Sequence, residues 1–221
     1  MADKTKTNIH ERTEISKFLY RHSKIGISGR FPCDKNTELL YFQSYLELGV
    51  LRYLALDNTI KFMDSQTGTM KWLPRLSSRF RNYTPDMILV YKCGSITFVE
   101  VKPIWALDEA ENERLHQIEV AFDRAGYGFK KITDEDVTYE MFVNAGHILQ
   151  SPVHRFADGF LTIVANGISA ALPRKFTFGQ LKGYLAKFGL EICDYSLLKA
   201  GLFTFNMREL LTPDTLVWRA V

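Results

Sequence analysis

The sequence predicts an α/β fold, with a mixed sheet flanked by helices in the first part of the chain and a small helical domain with a hairpin in the second. Two observations support this prediction. Residues 38–133 contain one helical pattern, four short β-prone runs, a second helical pattern and a fifth β-prone run, in that order. This order is typical of one α/β layer. From about residue 140 the pattern changes to helical stretches followed by two short strands, which predicts domains at residues 1–140 and 141–221.

The composition allows a globular core and does not by itself indicate a function. The chain has 221 residues, of which 46% are hydrophobic and 13% aromatic. This is enough for one large domain, or for a catalytic domain with a small appendage. The net charge of +3 permits a polyanionic partner without requiring one, because affinity for phosphates depends on where the charge lies.

Cysteine usage and hydropathy favour a soluble cytoplasmic protein. The cysteines, Cys33, Cys93 and Cys193, are far apart and odd in number, which favours neither a zinc site nor a disulfide framework. Residues 1–14 are polar and lack an apolar signal segment. The apolar stretch 159–172 is too short to cross a bilayer. We therefore expect a cytoplasmic location and no membrane partner.

The first third of the chain predicts a basic arm, a helix and two strands. Residues 1–36 are polar and rich in Lys and Arg, which is typical of an arm with little core of its own. Residues 38–56 carry apolar side chains at spacings of three and four, which predicts an amphipathic helix. Residues 60–63 and 70–73 flank a Thr-Gly turn at 67–68 and are predicted to pair as strands.

The middle of the chain predicts the rest of the sheet. A basic loop at residues 75–81 is followed by two apolar, β-prone runs, 87–91 and 96–101, which form a predicted hairpin. Residues 108–125 have the pattern of a charged amphipathic helix that ends at a glycine. Residues 128–133 are predicted to add one more strand.

The C-terminal part predicts three helices and a terminal hairpin, an arrangement typical of a winged helix-turn-helix domain. The helices are expected at about residues 155–171, 178–187 with Thr177 as N-cap, and 194–200, and the strands at 202–205 and 215–218. The candidate recognition helix, 194–200, has Lys199 as its one basic residue. A helix that reads the major groove usually offers several Arg, Lys, Asn or Gln side chains. The sequence therefore favours protein docking over DNA reading for this domain.

Four charged residues form the most informative pattern of the chain. Asp86 follows a proline at the start of one hairpin strand, and Glu100 and Lys102 lie on the other, after thirteen intervening residues. Because side chains alternate along a strand, Glu100 and Lys102 point to the same face, and a short turn would bring Asp86 beside Glu100. Glu47 lies on the apolar face of the first predicted helix, where a carboxylate needs a partner.

Clustered carboxylates of this kind suit a hard divalent cation. Two adjacent carboxylates repel, which raises one pKa unless a cation is present, and Mg²⁺ prefers oxygen ligands beside phosphate. Such an ion activates water and neutralises the charge that develops on phosphoryl oxygens. The pattern therefore predicts a Mg²⁺-dependent nuclease of the PD-(D/E)xK type, with Mn²⁺ as a possible substitute. Its catalytic residues would be Glu47, Asp86, Glu100 and Lys102, and its metal ligands Glu47, Asp86 and Glu100.

Each of these residues also has an ordinary structural explanation. An Asp before a strand is usually a cap or turn residue, and a Glu-x-Lys pair on an edge strand is usually solvated. The joint pattern within one α/β layer is more specific and favours the nuclease. The basic loop ahead of Asp86 carries three candidate DNA-binding residues, Arg75, Arg79 and Arg81. They fit phosphate contacts and a plain solvated loop equally well.

The chain resembles the TnsA family of transposon endonucleases over residues 28–134. The segments that carry the resemblance are Ser28-Gly29-Arg30-Phe31-Pro32, Ser44-Tyr45-Leu46-Glu47, Tyr83-Thr84-Pro85-Asp86, Val99-Glu100-Val101-Lys102-Pro103 and Ile132-Thr133-Asp134. The resemblance implies a restriction-endonuclease-like sheet, catalytic roles for Glu47, Asp86 and Lys102, and cleavage of the 5′ strands at transposon ends. Glu100 matches a position that is Glu or Gln in that family.

The resemblance also implies partners and a winged-helix domain behind the nuclease domain. The implied partners are double-stranded DNA at transposon ends, a DDE transposase subunit that cuts and joins the 3′ ends, and a AAA+ ATPase regulator. Two alternatives stay open on the sequence. One is a stand-alone PD-(D/E)xK restriction or repair nuclease, which would cut plain DNA alone. The other is a non-catalytic adaptor of the transposition complex, which would have no need for clustered carboxylates.

Overall fold

The computed structural model describes residues 27–65, 68–74 and 78–220 of a mixed α/β protein. The chain divides into two compact units. Unit 1 contains the described residues up to Leu48 together with Thr59–Asp136, and unit 2 contains Gly49–Asn58 and the described residues from Val137 onward. The division falls close to the predicted boundary at residue 140 and assigns ten residues of the first helix region to unit 2. Most of the predicted basic arm lies outside the described residues.

Unit 1 is built on a four-stranded mixed sheet. The unit as a whole contains the strands β1 (Gly29–Phe31), β2 (Leu40–Phe42), β3 (Ile60–Ser65), β4 (Met70–Trp72), β5 (Arg81–Tyr83), β6 (Met87–Tyr91), β7 (Ile96–Val101) and β8 (Gly128–Ile132). The main sheet has the order β3-β6-β7-β8, with β3–β6 and β6–β7 antiparallel and β7–β8 parallel. The other four strands form two antiparallel pairs, β1–β2 and β4–β5. The predicted hairpin of β6 and β7 is therefore confirmed.

Two α-helices within the described residues accompany these strands. Helix α1 (Tyr45–Ala55) has its first turn in unit 1 and the remainder in unit 2, and helix α2 (Glu109–Arg124) connects the parallel strands β7 and β8. Helix α2 begins where Asp108 accepts the backbone N–H of Glu111 at 2.7 Å, and it is followed by Gly126 at φ +81°. The predicted helix at 108–125 and the predicted strand at 128–133 are thus confirmed.

An aromatic cluster packs α2 onto the sheet. Phe122 of α2 is 4% exposed, and its ring centroid lies 4.5 Å from that of Phe98 on β7 and 5.6 Å from that of Phe129 on β8. Tyr83 of β5 meets the same ring edge-on at 6.0 Å. The cluster joins the main sheet, the β4–β5 pair and α2. It therefore supports the segment that leads from Tyr83 into β6.

Two predictions for unit 1 were wrong. The first helix was expected from residue 38 and begins at Tyr45, because the Ser44 hydroxyl caps it by accepting the N–H of Glu47 at 3.1 Å. Residues 40–42 form β2 instead. Strands β3 and β4 do not pair with each other, since β3 pairs with the apolar strand β6. That pairing buries Ile60 and Met63 almost completely, which a short exposed hairpin would not achieve.

Unit 2 combines helices with a three-stranded antiparallel sheet. Its remaining elements are α3 (Tyr139–Leu149), α4 (Phe160–Ala171), β9 (Lys175–Thr177), α5 (Phe178–Ala186), α6 (Asp194–Lys199), β10 (Phe203–Phe205) and β11 (Leu216–Arg219). The sheet has the order β10-β11-β9. Its core includes Ala165, Ile168, Leu181, Leu197 and Phe203, all nearly or fully buried.

The sequence predicted part of unit 2. The positions of α5, α6 and the two hairpin strands are confirmed, and Thr177 caps α5 through a reciprocal pair of hydrogen bonds with Gln180. The helix expected from residue 155 begins at Phe160, because Gly159 adopts φ +80° just before it. Helix α3 and strand β9 were not predicted. No helix within the described part of the chain is both long and apolar enough to cross a membrane.

Candidate active site

The hairpin of β6 and β7 places Asp86 beside Glu100. Met87 pairs with Val99 in the antiparallel register, so the next position outward sets Asp86 opposite Glu100. Asp86 Oδ2 accepts the backbone N–H of Val101 at 2.7 Å. The Asp86 carboxylate therefore provides the hydrogen-bond acceptor where the β-ladder ends, and this contact holds it at the mouth of the hairpin.

Glu100 is a buried carboxylate, 4% exposed, with a donor or cation at each oxygen. Its Oε2 accepts the hydroxyl of Tyr83 at 2.6 Å. Its Oε1 lies 3.2 Å from Lys102 Nζ and 3.9 Å from Arg114 Nη2. A buried charge needs such partners to offset its desolvation, so Glu100 is held in one orientation by three side chains.

Lys102 leaves the end of β7 on the same side as Glu100. Its backbone N–H donates to the carbonyl of Ile132 at 3.0 Å, which continues the parallel pairing of β7 with β8. Burial alone would lower the pKa of Lys102, but the carboxylates of Glu100 and Asp86 outweigh it and raise that pKa. Lys102 is therefore a firmly protonated cation beside two carboxylates.

Glu47 reaches the same site from the first turn of α1. Its Oε2 accepts the backbone N–H of Gln43 at 2.8 Å, and its Oε1 accepts the Ser44 hydroxyl at 3.1 Å. Burial raises the pKa of Glu47 and the charge of Glu100 adds to the rise, while the hydrogen bonds from Gln43 and Ser44 and the charge of Lys102 oppose it. The carboxylate thus serves as part of a helix cap and interacts electrostatically with Glu100 and Lys102.

Asp86 shows the strongest effect of this clustering. Burial, followed by the charges of Glu100 and Glu47, raises the pKa of Asp86 to about 7 from an ordinary value of 3.8. The N–H of Val101 and the ammonium of Lys102 oppose the rise. The structure therefore brings Glu47, Asp86, Glu100 and Lys102 into one electrostatically coupled group, with more negative charge than its single lysine neutralises.

The carboxylates of the site have the chemistry of ligands for a hard divalent cation, although they are not arranged to enclose one. The carboxylates of Glu47, Asp86 and Glu100 offer the oxygen ligands that Mg²⁺ and Mn²⁺ prefer. Within residues 27–65, 68–74 and 78–220, however, no group of three or more His, Cys, Asp or Glu side chains is arranged to hold a metal ion. Both oxygens of Glu47 accept hydrogen bonds from its helix cap, so ligation by Glu47 would require it to exchange those bonds for the cation.

Three residues of the site were not predicted as functional. They are Tyr83, Arg114 and Glu111. Tyr83 donates to Glu100. Arg114 lies between Glu100 and Glu111 and donates two hydrogen bonds to Glu111, of 2.7 and 2.6 Å. Tyr83 belongs to the Tyr-Thr-Pro-Asp segment, but the sequence does not indicate its contact with Glu100. The i,i+3 spacing of Glu111 and Arg114 was visible, whereas the sequence carried no signal that this face of α2 lies beside β7.

We expect Tyr83→Phe to lower the free energy of unfolding by about 1–3 kcal/mol, because it leaves one oxygen of the buried Glu100 without its donor. The measurement is urea-induced unfolding of the two proteins. Tyr127→Phe, a hydroxyl deletion in the same unit, is the matched control and is expected to change stability by less. Equal effects of the two substitutions would show that the bond from Tyr83 to Glu100 contributes nothing.

The candidate DNA-binding arginines are only partly located. Arg79 and Arg81 are exposed, and Arg81 opens strand β5 two residues before Tyr83, so it belongs to a strand and not to the loop in which it was predicted. Arg75 lies outside the described residues. The positions of Arg79 and Arg81 are compatible with contacts to a polyanion.

The comparisons with known proteins add no relative. The sequence matches no protein-family model and no curated protein. The chemistry of the residues at the mouth of the β6–β7 hairpin therefore carries the functional argument.

Proposed function

We propose that the protein is a Mg²⁺-dependent DNA endonuclease of the PD-(D/E)xK type. The observation that carries the proposal is the joint presence of Asp86, Glu100 and Lys102 at the end of one β-hairpin, with Glu47 on a helix close enough to alter their charges. The mixed sheet with its flanking helix supports a restriction-endonuclease-like domain. The helices and three-stranded sheet of unit 2 support a winged-helix domain.

The side chains divide the chemistry as follows. Asp86 and Glu100, with Glu47, would hold Mg²⁺ or Mn²⁺. The bound ion would supply an activated water and neutralise charge on the phosphoryl oxygens. Lys102, whose Nζ is 3.2 Å from Glu100 Oε1, would orient the attacking water or stabilise negative charge on the scissile phosphate. Tyr83 and Arg114 keep Glu100 in place while this happens.

The resemblance to the TnsA family supplies the biological setting of the proposal. The segments around Glu47, Asp86 and Lys102 are three of those that carry the resemblance. The proposed substrate is double-stranded DNA at transposon ends, cut on the 5′ strands. The proposed partners are a DDE transposase subunit and a AAA+ ATPase regulator, of which the ATPase would dock on unit 2.

The proposed function is tested with a plasmid that carries transposon ends, incubated with the chain and the partner proteins. We expect 5′-strand cleavage with Mg²⁺ or Mn²⁺, binding without turnover in Ca²⁺, whose longer and looser coordination does not suit the reaction, and no cleavage in excess chelator. Lys102→Ala should remove cleavage under all of these conditions. Undiminished cleavage in chelator would refute the metal mechanism. Cleavage of plain DNA by the isolated chain would favour the stand-alone nuclease.

A further inference from the structure

The candidate recognition helix of unit 2, α6, is largely buried. In α6, Ser196 and Leu197 are fully buried and Leu198 is 8% exposed. The ammonium of Lys199 donates to the backbone carbonyls of Leu149 at 3.2 Å and Ser151 at 3.5 Å. The single basic side chain of α6 thus makes contacts within unit 2, so a basic surface of this unit has to be sought on other elements.

Such a surface lies beside the pair formed by the edge strand β9 and the central strand β11 of the three-stranded sheet. A shallow depression there is lined by Pro173, Arg174, Lys175, Trp218, Arg219 and Ala220, which we call the β9–β11 basic surface. The antiparallel register sets Lys175 directly opposite Trp218, and Lys175 Nζ lies 5.5 Å from the centroid of the indole ring. This cation–π contact orients the ammonium.

The positive charges of this surface lack counter-charges. None of Arg174, Lys175 and Arg219 forms an ion pair with a carboxylate among the described residues, and no acidic side chain lines the depression. Arg219 Nη2 donates to the side chain of Asn166 at 3.1 Å. Its Nη1 is buried and has no hydrogen-bond acceptor among the described residues. Side chains alternate along a strand, so Arg219 points away from the face of β11 that carries Trp218. Its guanidinium lies 5.5 Å from the ring centroid of the buried Phe203. Arg174 and Lys175 are therefore the exposed cations of this surface, and two exposed cations without a carboxylate partner favour an anionic ligand.

We propose that the β9–β11 basic surface binds the phosphate backbone of duplex DNA. The choice of DNA as the anion rests on the proposed nuclease function, because duplex DNA is the substrate proposed for this chain. Lys and Arg contacts to phosphates position a protein on a duplex without reading its sequence. The surface therefore contributes affinity that is independent of sequence and sensitive to salt.

The test is a salt series of duplex binding by the full-length chain, measured by fluorescence anisotropy in chelator so that no cleavage occurs. The variant is Arg174→Gln/Lys175→Gln, which changes two exposed side chains. The matched control is Arg155→Gln/Lys187→Gln, which removes one exposed Arg and one exposed Lys elsewhere in the same unit. Each phosphate contact contributes about 0.9 to the slope of log K against log salt. We expect the variant to reduce that slope by about 1–2 and the control to leave it unchanged.

The outcomes separate this proposal from the nuclease proposal. Equal slopes for the variant and the control, or no binding of duplex by the wild type, would overturn the basic surface. Preferential binding of polyglutamate with an unchanged DNA slope would also overturn it, since the surface would then recognise acidic protein. Absence of cleavage in Mg²⁺ together with the expected loss of slope would refute the nuclease and leave the DNA-binding surface standing.

Discussion

Asp86→Asn is expected to stabilise the protein at pH 8 while it abolishes metal-dependent cleavage. The pKa of Asp86 is about 7 in the folded protein against an ordinary 3.8, so between these pH values the folded state holds a proton that the unfolded state has lost. Stability contributed by this group is therefore complete below about pH 4, falls as the pH rises, and is lost above about pH 7. The loss is at most about 4 kcal/mol. Asparagine does not ionise, so the variant does not lose this stability as the pH rises.

The stability half of this prediction is measured by urea unfolding at pH 5 and pH 8 in chelator. The wild type should lose about 2–3 kcal/mol between the two pH values through this group, and the variant should lose much less. Asp123→Asn, which neutralises an exposed carboxylate of the same unit, is the control and should leave the wild-type dependence in place. A wild type of equal stability at both pH values would contradict the argument.

The activity half is measured in the cleavage assay with Mg²⁺. Replacement of one carboxylate ligand by a neutral amide should lower the rate about 100-fold or more, since the bound ion supplies several kcal/mol of transition-state stabilisation. A variant that is more stable and inactive is the combination expected of a carboxylate retained for function. A variant that is more stable and fully active would show that Asp86 has no catalytic role.

The core of the candidate site could be predicted because its geometry is local. Asp86 precedes β6, Glu100 lies on β7 and Lys102 follows β7. A short turn with Gly94 at φ +90° joins the two strands, so hairpin pairing and strand alternation place the three residues together. Helix α2 was equally predictable from its charged amphipathic pattern and its terminal glycine. These features depend on residues that are close in the chain, which is where sequence patterns carry structural information.

The remaining features depend on contacts between distant residues. Strands β2 and β9 have three residues each, too few for an alternating pattern to be recognised. The buried side chain of Asn144 donates to the carbonyl of Glu209 at 2.7 Å and accepts the N–H of Leu211 at 3.0 Å. The sequence has no local signature for these contacts. The same holds for the approach of Tyr83 to Glu100, which only the assembled sheet brings about.

Phe122→Ala is expected to lower the free energy of unfolding by about 3–5 kcal/mol, the range for removal of a buried aromatic ring. Phe122 contacts the rings of Phe98, Phe129 and Tyr83, each on a different strand, so the cavity cannot close without shifting a strand. Because Tyr83 also donates to Glu100, the substitution should loosen the candidate site as well. Urea unfolding measures the first effect, and the near-ultraviolet circular dichroism of the aromatic cluster reports the second.

The control for this prediction is Phe122→Leu, which retains most of the buried apolar volume. It should cost about 1.5 kcal/mol or less, because hydrophobic replacements of similar volume are tolerated best. The difference between the two variants isolates the cavity from the loss of aromatic contacts. If Phe122→Ala cost no more than Phe122→Leu, the aromatic cluster would not be the support that joins α2, the main sheet and the strand that carries Tyr83.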